Sequence, residues 1–306
     1  MATFLITGVS RGIGYGLLSY ISSNPENTVI GLARNKAATE EKISKELGVR
    51  RNVHILQADM ADYNSILSAA KETEKITGGS LDYIIANAGV ASPAEPFANI
   101  GELAENPKVF EDALSYTIST NVAGNVYLFT SLMPLILKGN AKKIIAISSA
   151  AADIELQRKY DLELSPMYSA SKAALNAIVA KFSAQYARDG VLIMSICPGM
   201  VDTQSLDGAT DAQKKRFGNF ISSLQRYAPH FTGPKTAESA AKDIVTLIGK
   251  CSVENGDGGS FHSDVQSVAL SNLREYKDRT AAKVEEKTYV SMDDGFTQLD
   301  KERKGR

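Results

Sequence analysis

The chain has no tryptophan, two cysteines and three histidines in 306 residues. Cys197 and Cys251 are too few for a disulfide framework, and with no secretory signal ahead of them they fit a reducing compartment. His54, His230 and His262 stand apart, with no Cys, Asp or Glu at ligand spacing, so no metal site is expected. Neither sign of charge predominates. With 34 Lys and Arg against 35 Asp and Glu, the formal net charge is −1, which gives no electrostatic footprint for nucleic acid or an anionic membrane. Long apolar runs are missing too: the most apolar stretch, residues 126–137, carries Pro134 and is too short to span a bilayer. Met1-Ala2-Thr3-Phe4 runs straight into a strand pattern, which leaves no room for a cleavable presequence. The expectation is a cytoplasmic protein with neither nucleic acid nor membrane as a partner.

What is present reads as an ordinary core-forming chain, 43% hydrophobic and 23% charged. An α/β sheet can pass 200 residues as one domain, and the pattern follows that course. Residues 3–7 are a short β-prone run, followed at once by Gly8-Val9-Ser10-Arg11-Gly12-Ile13-Gly14 and a helical pattern over 15–21. Strand, glycine turn and helix make the setting of a dinucleotide site. The glycines admit a pyrophosphate close to the backbone, and the helix N-terminus offers N–H donors and a favourable dipole. The spacing is G-x-x-x-G-x-G rather than G-x-G-x-x-G, and any tight strand-to-helix turn can take this form. Residues 27–34 read as a second strand ending in Arg34. An acid there would bind the 2′-hydroxyl of NAD, whereas an arginine accommodates the 2′-phosphate of NADP. The first acid after the strand is Glu40, and Arg11 adds a second positive charge nearby. A solvated arginine at a helix start is the plain alternative; NADP(H) is the expected cofactor.

A third strand over 53–58 ends in Asp59, a helix over 62–76 stops at Gly78-Gly79, and a fourth strand over 81–86 leads to Asn87-Ala88-Gly89. This alternation predicts a Rossmann-type doubly wound parallel sheet of about seven strands flanked by helices. Residues 91–106 read as a loop, and 112–137 as a long helical region interrupted by Asn121 and Gly124. A fifth strand over 142–147 ends in Ser148-Ser149, and 150–166 read as irregular, with the charged insert DIELQRKYDLEL. A sixth strand over 191–196 precedes Cys197-Pro198-Gly199-Met200-Val201-Asp202-Thr203. Residues 204–232 mix helix and loop, with Phe217, Phe220, Leu224 and Tyr227 at the spacing of an apolar face. A helix over 236–250 and a short last strand within 256–261 complete a single domain, 1–263. Beyond it the composition turns charged and polar, and 264–306 read as a tail, partly helical over 265–288.

The helix over 167–188 opens with Tyr168-Ser169-Ala170-Ser171-Lys172. In a helix Tyr168 and Lys172 share a face. A lysine ammonium a few ångströms away favours the phenolate and lets a tyrosine exchange protons near neutrality. A chance pair one turn apart has the same spacing.

Taken in order, Thr7-Gly8-x-x-x-Gly12-Ile13-Gly14, Asn87-Ala88-Gly89, Asn121, Ser149, Tyr168-x-x-x-Lys172 and Pro198-Gly199 resemble the short-chain dehydrogenase/reductase family over residues 2–262. Within it the likeness is to NADP-dependent carbonyl reductases, fungal ketoreductase-like and sniffer-like. The resemblance implies a general acid at Tyr168, with Lys172 lowering its pKa and holding the nicotinamide ribose. It implies that Ser149, rather than Ser148, orients the substrate, and that Asn121 holds a water linking Lys172 to solvent. The turn Gly8, Ser10, Arg11, Gly12, Ile13 and Gly14, with Arg34, Asp59 at the adenine, Asn87 near the adenosine ribose, and Pro198, Gly199, Val201 and Thr203 at the nicotinamide end, would hold NADP(H). The partners implied are a small carbonyl or alcohol substrate and a second copy or more of the chain, as a homodimer or homotetramer. An NAD-dependent alcohol dehydrogenase and a non-catalytic NADP-binding regulatory protein are the competing functions. Three departures stand out. Ser149 and Tyr168 are nineteen positions apart, more than is usual in the family; Ala86-Asn87-Ala88-Gly89 stands where the family has Asn-Asn-Ala-Gly; and the stretch beyond about 264 has no counterpart in the short members of the family.

Overall fold

Runs such as Lys143-Ile-Ile-Ala-Ile147 and Leu192-Ile-Met-Ser-Ile196 are apolar almost throughout, as strands of a parallel sheet buried on both faces are. A computed structural model describes residues 1–202, 210–228 and 233–263. In it, β1 (Thr3–Thr7), α1 (Gly12–Ser22), β2 (Thr28–Ala33), α2 (Lys36–Leu47), β3 (Val53–Gln57), α3 (Tyr63–Thr77) and β4 (Tyr83–Ala86) form the first half. There follow α4 (Ile100–Ala104), α5 (Pro107–Ile118), a π turn (Ser119–Ala123), α6 (Gly124–Ile136) and β5 (Lys143–Ile147). The chain continues through α7 (Ile154–Tyr160), α8 (Pro166–Tyr186), β6 (Leu192–Ile196), α9 (Asp211–Tyr227), α10 (Ala237–Lys250) and β7 (Phe261–His262).

The seven strands pair in parallel in the order β3-β2-β1-β4-β5-β6-β7. The order reverses between β1 and β4, which leaves a crevice outside their carboxyl ends. Helices cover both faces. Ile66 of α3, Leu128 and Leu132 of α6 and Leu175 of α8 fill one apolar layer. Leu17 and Ile21 of α1 with Ile244 and Ile248 of α10 fill the other. The α1–α10 contact requires Gly16, because a Cβ there would stand 2.5 Å from the Ala237 carbonyl oxygen. Among the described residues no helix is long and apolar enough to cross a membrane.

The expected doubly wound sheet is present, and several local expectations are corrected. Residues 150–166 are not irregular: they hold a 3-10 turn (Ala150–Ala152) and α7. What reads as a charged insert is a capped helix, with Asp153 accepting from the Leu156 N–H, Glu155 in the first turn and Arg158 and Lys159 in the last. Similarly, 91–106 contain α4, closed by a capping box between Asn99 and Glu102. The long helical region begins earlier than expected, at Pro107 behind the Asn106 cap, and its interruption is a π turn that contains Asn121. Residues 204–232 include the 17-residue helix α9 behind a Thr210–Gln213 capping box. The last strand is shorter and later than expected, at Phe261–His262. His262 is not isolated either, since the α10–β7 turn brings one ligand atom each of Cys251, Asp257 and His262 within 4.8 Å of one another. There an Asp257 oxygen accepts the Ser252 N–H at 2.9 Å, closing the turn. The expected tail, 264–306, lies outside the described residues.

Candidate active site

The glycine turn follows β1 at the point where the strand order reverses. Gly8 and Gly12 adopt φ of +74° and +57°, a region that favours glycine. A Cβ at Gly14 would lie 2.3 Å from the Gly8 carbonyl oxygen and 2.5 Å from Asn87 Nδ2, so the turn closes only on hydrogen. Arg11, the N-cap of α1, makes no side-chain capping bond, and the first turn carries no acid. By contrast α2 and α3 are capped by Asn35 and Asp62. The amides at Gly12, Ile13 and Gly14 therefore present donors and the positive end of the helix dipole to the crevice. An anionic pyrophosphate fits this chemistry.

Asn87-Ala88-Gly89 is stitched to the same turn. Asn87 Nδ2 donates to the Thr7 carbonyl at 2.9 Å, and the Ala88 N–H donates to Thr7 Oγ1 at 2.8 Å. Asn87 thus braces the backbone of β1 and the glycine turn. At the other end of the crevice lie Pro198, which is buried, and Gly199 at φ +76°. Val201 forms a parallel bridge with Lys235; Thr203 lies outside the described residues.

Four residues converge where β5 and β6 end. Ser149 hydrogen-bonds the Tyr168 phenol, and its Oγ also accepts the Ala151 N–H at 3.1 Å. Ser148 is buried, and its hydroxyl has no hydrogen-bond partner among the described residues. Lys172 Nζ donates to the Ile147 carbonyl at 2.7 Å and stands 5.7 Å from the centre of the Tyr168 ring. A Cβ on Gly89 would meet Lys172 Nζ at 3.2 Å and Asn121 Oδ1 at 3.4 Å, so glycine leaves room where the two side chains meet. Asn121, 0% exposed, accepts the Val90 N–H at 2.8 Å and donates to the Val90 carbonyl at 2.8 Å and Ser171 Oγ at 2.9 Å. Its backbone carbonyl accepts Asn125 Nδ2 at 2.7 Å.

Burial dominates the electrostatics of this cluster. Burial, followed by the neighbouring Cys197, pushes the Tyr168 phenol up to about 12, against the Ser149 hydrogen bond that lowers it. Burial likewise pushes Lys172 down to about 8. Burial is the largest influence on both groups, and it disfavours the phenolate and the ammonium alike.

Arg11, within the glycine turn, and Arg34, at the end of β2, are both exposed. Lys42 joins them from α2: Nζ reaches the Ser10 carbonyl at 3.5 Å and lies 4.1 Å from the centre of the Tyr15 ring. The sequence reading missed Lys42 because a lysine in a charged helix carries no signal of where its tip reaches. Asp59 is exposed at the end of β3, where its Oδ1 accepts the Ala61 N–H at 2.9 Å. α9 is tied on two sides. Arg216 forms a two-pronged pair with Glu102 of α4 and donates to the Phe97 carbonyl at 3.1 Å. Arg226 donates to the Tyr160 carbonyl of α7 at 3.1 Å, and Tyr227 packs edge-on against Tyr160.

Residues 2–214 match the family model described as short chain dehydrogenase. A short chain dehydrogenase of Hypocrea virens, virK, is 45% identical over 263 residues, covering 86% of this chain and 97% of its own length. A short-chain dehydrogenase/reductase of Pestalotiopsis fici, iacC, is 42% identical over 264 residues, with the same coverage of each. Among solved structures, the NADPH-bound carbonyl reductase from chicken fatty liver has the same fold, with a TM-score of 0.68 at 23% identity over 86% of this chain and 96% of that one. The glycine turn, the strand order and the extent of these matches agree: the chain is an oxidoreductase belonging to the short chain dehydrogenase family.

Proposed function

We propose that this oxidoreductase uses NADP(H) to reduce a ketone or aldehyde to an alcohol, or runs the reverse, with Tyr168 as the proton-transferring group. The observation that carries the reading is the meeting of Ser149, Tyr168 and Lys172 at the carboxyl ends of β5 and β6, beside an uncapped α1. The amides at Ser10, Gly12, Ile13 and Gly14 would hold the pyrophosphate, while the Gly8 N–H is taken by the Leu32 carbonyl at 2.8 Å and Gly8 serves the turn by its backbone angles. Arg34, with Arg11 and Lys42, supplies the positive charge that suits a 2′-phosphate. Asp59 and Asn87 border the adenosine end; Pro198, Gly199 and Val201 border the nicotinamide end. A nicotinamide dinucleotide supplies the hydride when bound.

The chain's own groups manage the proton. A phenol that keeps its proton up to about 12 is an acid in reserve at neutral pH. It gives up that proton only when a carbonyl oxygen beside it gains negative charge. The Ser149 hydroxyl, next to the phenol, can donate a second hydrogen bond to the same oxygen. Lys172, pushed down to about 8, is still mostly an ammonium at pH 7 and stabilises the phenolate left behind. Asn121, fixed on Val90 and Ser171, holds the wall behind Lys172.

The protein then works in the cytoplasm on a small carbonyl or alcohol. It self-associates through the side of α5 and α6, where Leu114, Tyr116 and Tyr127 are exposed. The test is a panel of carbonyl compounds assayed with NADPH and then NADH. Turnover with NADPH is expected, with kcat/KM falling by roughly 10²- to 10⁴-fold in Tyr168→Phe. No turnover on a broad panel, or a Tyr168→Phe enzyme that behaves as wild type, would sink the reading.

A further inference from the structure

Glu95 has no exposed surface, although it sits in the polar loop between β4 and α4. Its Oε1 accepts the Ser92 N–H at 3.0 Å. Its Oε2 accepts two more, from Met167 at 2.8 Å and Tyr168 at 3.2 Å. The last two are first-turn amides of α8, the helix that carries Tyr168 and Lys172. That helix cannot cap itself. Its N-cap, Ser165, lies at φ +57° and makes no side-chain capping bond, and Pro166 has no N–H to offer. The cap is supplied instead from 72 residues upstream. A buried carboxylate is costly to desolvate, and it persists only where hydrogen bonds and a helix dipole meet its charge. Both conditions hold here. The same loop is held from its other side, because the Phe97 ring packs edge-on against Phe217 and the Phe97 carbonyl accepts Arg216.

We propose that Glu95 is a positioning residue for the reaction: by capping α8 at the amide of Tyr168, its carboxylate fixes where the phenol stands relative to Ser149. The inference rests on the assignment of Tyr168 as the proton donor. Charge adds to geometry. The groups that face the phenol are Lys172 on its own helix, Ser149 after β5, Cys197 after β6 and Glu95 from the loop; burial raises the phenol most, Cys197 and Glu95 raise it further and Ser149 lowers it.

Two variants test this. Glu95→Gln removes the charge and one of the two acceptor oxygens; Glu95→Asp keeps the charge on a side chain one methylene shorter. For Glu95→Gln, kcat is expected to fall about tenfold, the scale of a lost helix cap, with NADPH affinity near that of the wild type. In the direction of alcohol oxidation, the pH profile set by Tyr168 moves to lower pH in Glu95→Gln. In Glu95→Asp it stays in place while kcat is reduced. A side chain that only supported folding would lower activity without moving the profile. Wild-type kcat in both variants, or a slowed Glu95→Gln with an unmoved profile, overturns the proposal. Should Glu95→Gln not fold, Glu95→Asp decides alone through the split between kcat and binding: reduced kcat with KM, NADPH affinity and Tm at wild-type values supports the proposal, and wild-type kcat, or a loss of kcat that comes with a lowered Tm, overturns it. A Tyr168→Phe enzyme that stays active defeats the functional reading itself. An inactive Tyr168→Phe with indifferent Glu95 variants defeats only the role of Glu95.

Discussion

Replacing Lys172 with methionine should make the protein more stable while abolishing its activity. Lys172 is 3% exposed, and burial lowers it from an ordinary 10.5 to about 8. At about 1.4 kcal/mol per pKa unit, carrying the ammonium in the folded protein at neutral pH costs about 3 kcal/mol. Methionine fills a similar volume without charge but leaves the Ile147 carbonyl unpaired, at about 1 kcal/mol. The net gain is about 2 kcal/mol, or roughly 4–8 °C in Tm for a chain of this size. The pH dependence is the sharper test. Because the folded value lies below the unfolded one, the neutral amine is the form the fold prefers. Its contribution is present above 10.5 and lost as pH falls through 8. The wild type should therefore gain on itself as pH rises from 8, while Lys172→Met does not, so the gap between them narrows. Tyr168 acts in the opposite sense above its ordinary 10.0, where the unfolded phenol ionises first, so the comparison belongs below pH 10. Thermal unfolding followed by circular dichroism at several pH values between 7 and 9.5 measures it. A Lys172→Met protein that is less stable at pH 7, or that keeps the wild-type pH slope, would refute the reasoning.

Two further outcomes follow from the cofactor end and from α9. Arg34→Asp should reduce the preference for NADPH over NADH by roughly tenfold or more, read from dissociation constants for the two by fluorescence titration; an unchanged ratio removes Arg34 from the recognition of the 2′-phosphate. Arg216→Ala cuts the link between α9 and α4, whose carboxylate Glu102 the guanidinium holds below the usual range. The KM for carbonyl substrates should rise several-fold with NADPH affinity unaltered, and a change confined to NADPH would contradict a role for α9 in substrate binding.

The parts of the fold and site that were legible in the sequence share one property: local chemistry alone specifies them. β1, the glycine turn and α1 are contiguous, and Gly8, Gly12 and Gly14 are dictated by backbone angles and a close approach within a few residues. Tyr168 and Lys172 are one helical turn apart, so the sequence places them on a common face. What it did not reveal depends on distant partners. Glu95 looks like any loop acid, because its three donors come from Ser92 and from a helix 72 residues on. The raised Tyr168 value arises from burial, which no spacing encodes. A third kind of miss was avoidable. α7 and α4 announce themselves through Asp153, and through Asn99 with Glu102, yet such short capped helices among charged residues read as loops when hydrophobic period is the main signal.

The π turn at Ser119–Ala123 has a bearing on how the chain can change. It spends one residue more than an α-helical turn would, which offsets α5 from α6 by about 100° of rotation. That offset lets one nearly continuous rod serve two clients. α6 presents Leu128, Phe129 and Leu132 to the sheet, while α5 presents Ala113 to Leu103 and to Met167 at the start of α8. Deleting a single residue here would let the rod run as a regular helix, at the expense of one client or the other. Length along this stretch is therefore held to the residue, and insertions and deletions should be far better tolerated at the exposed Val49 loop than here.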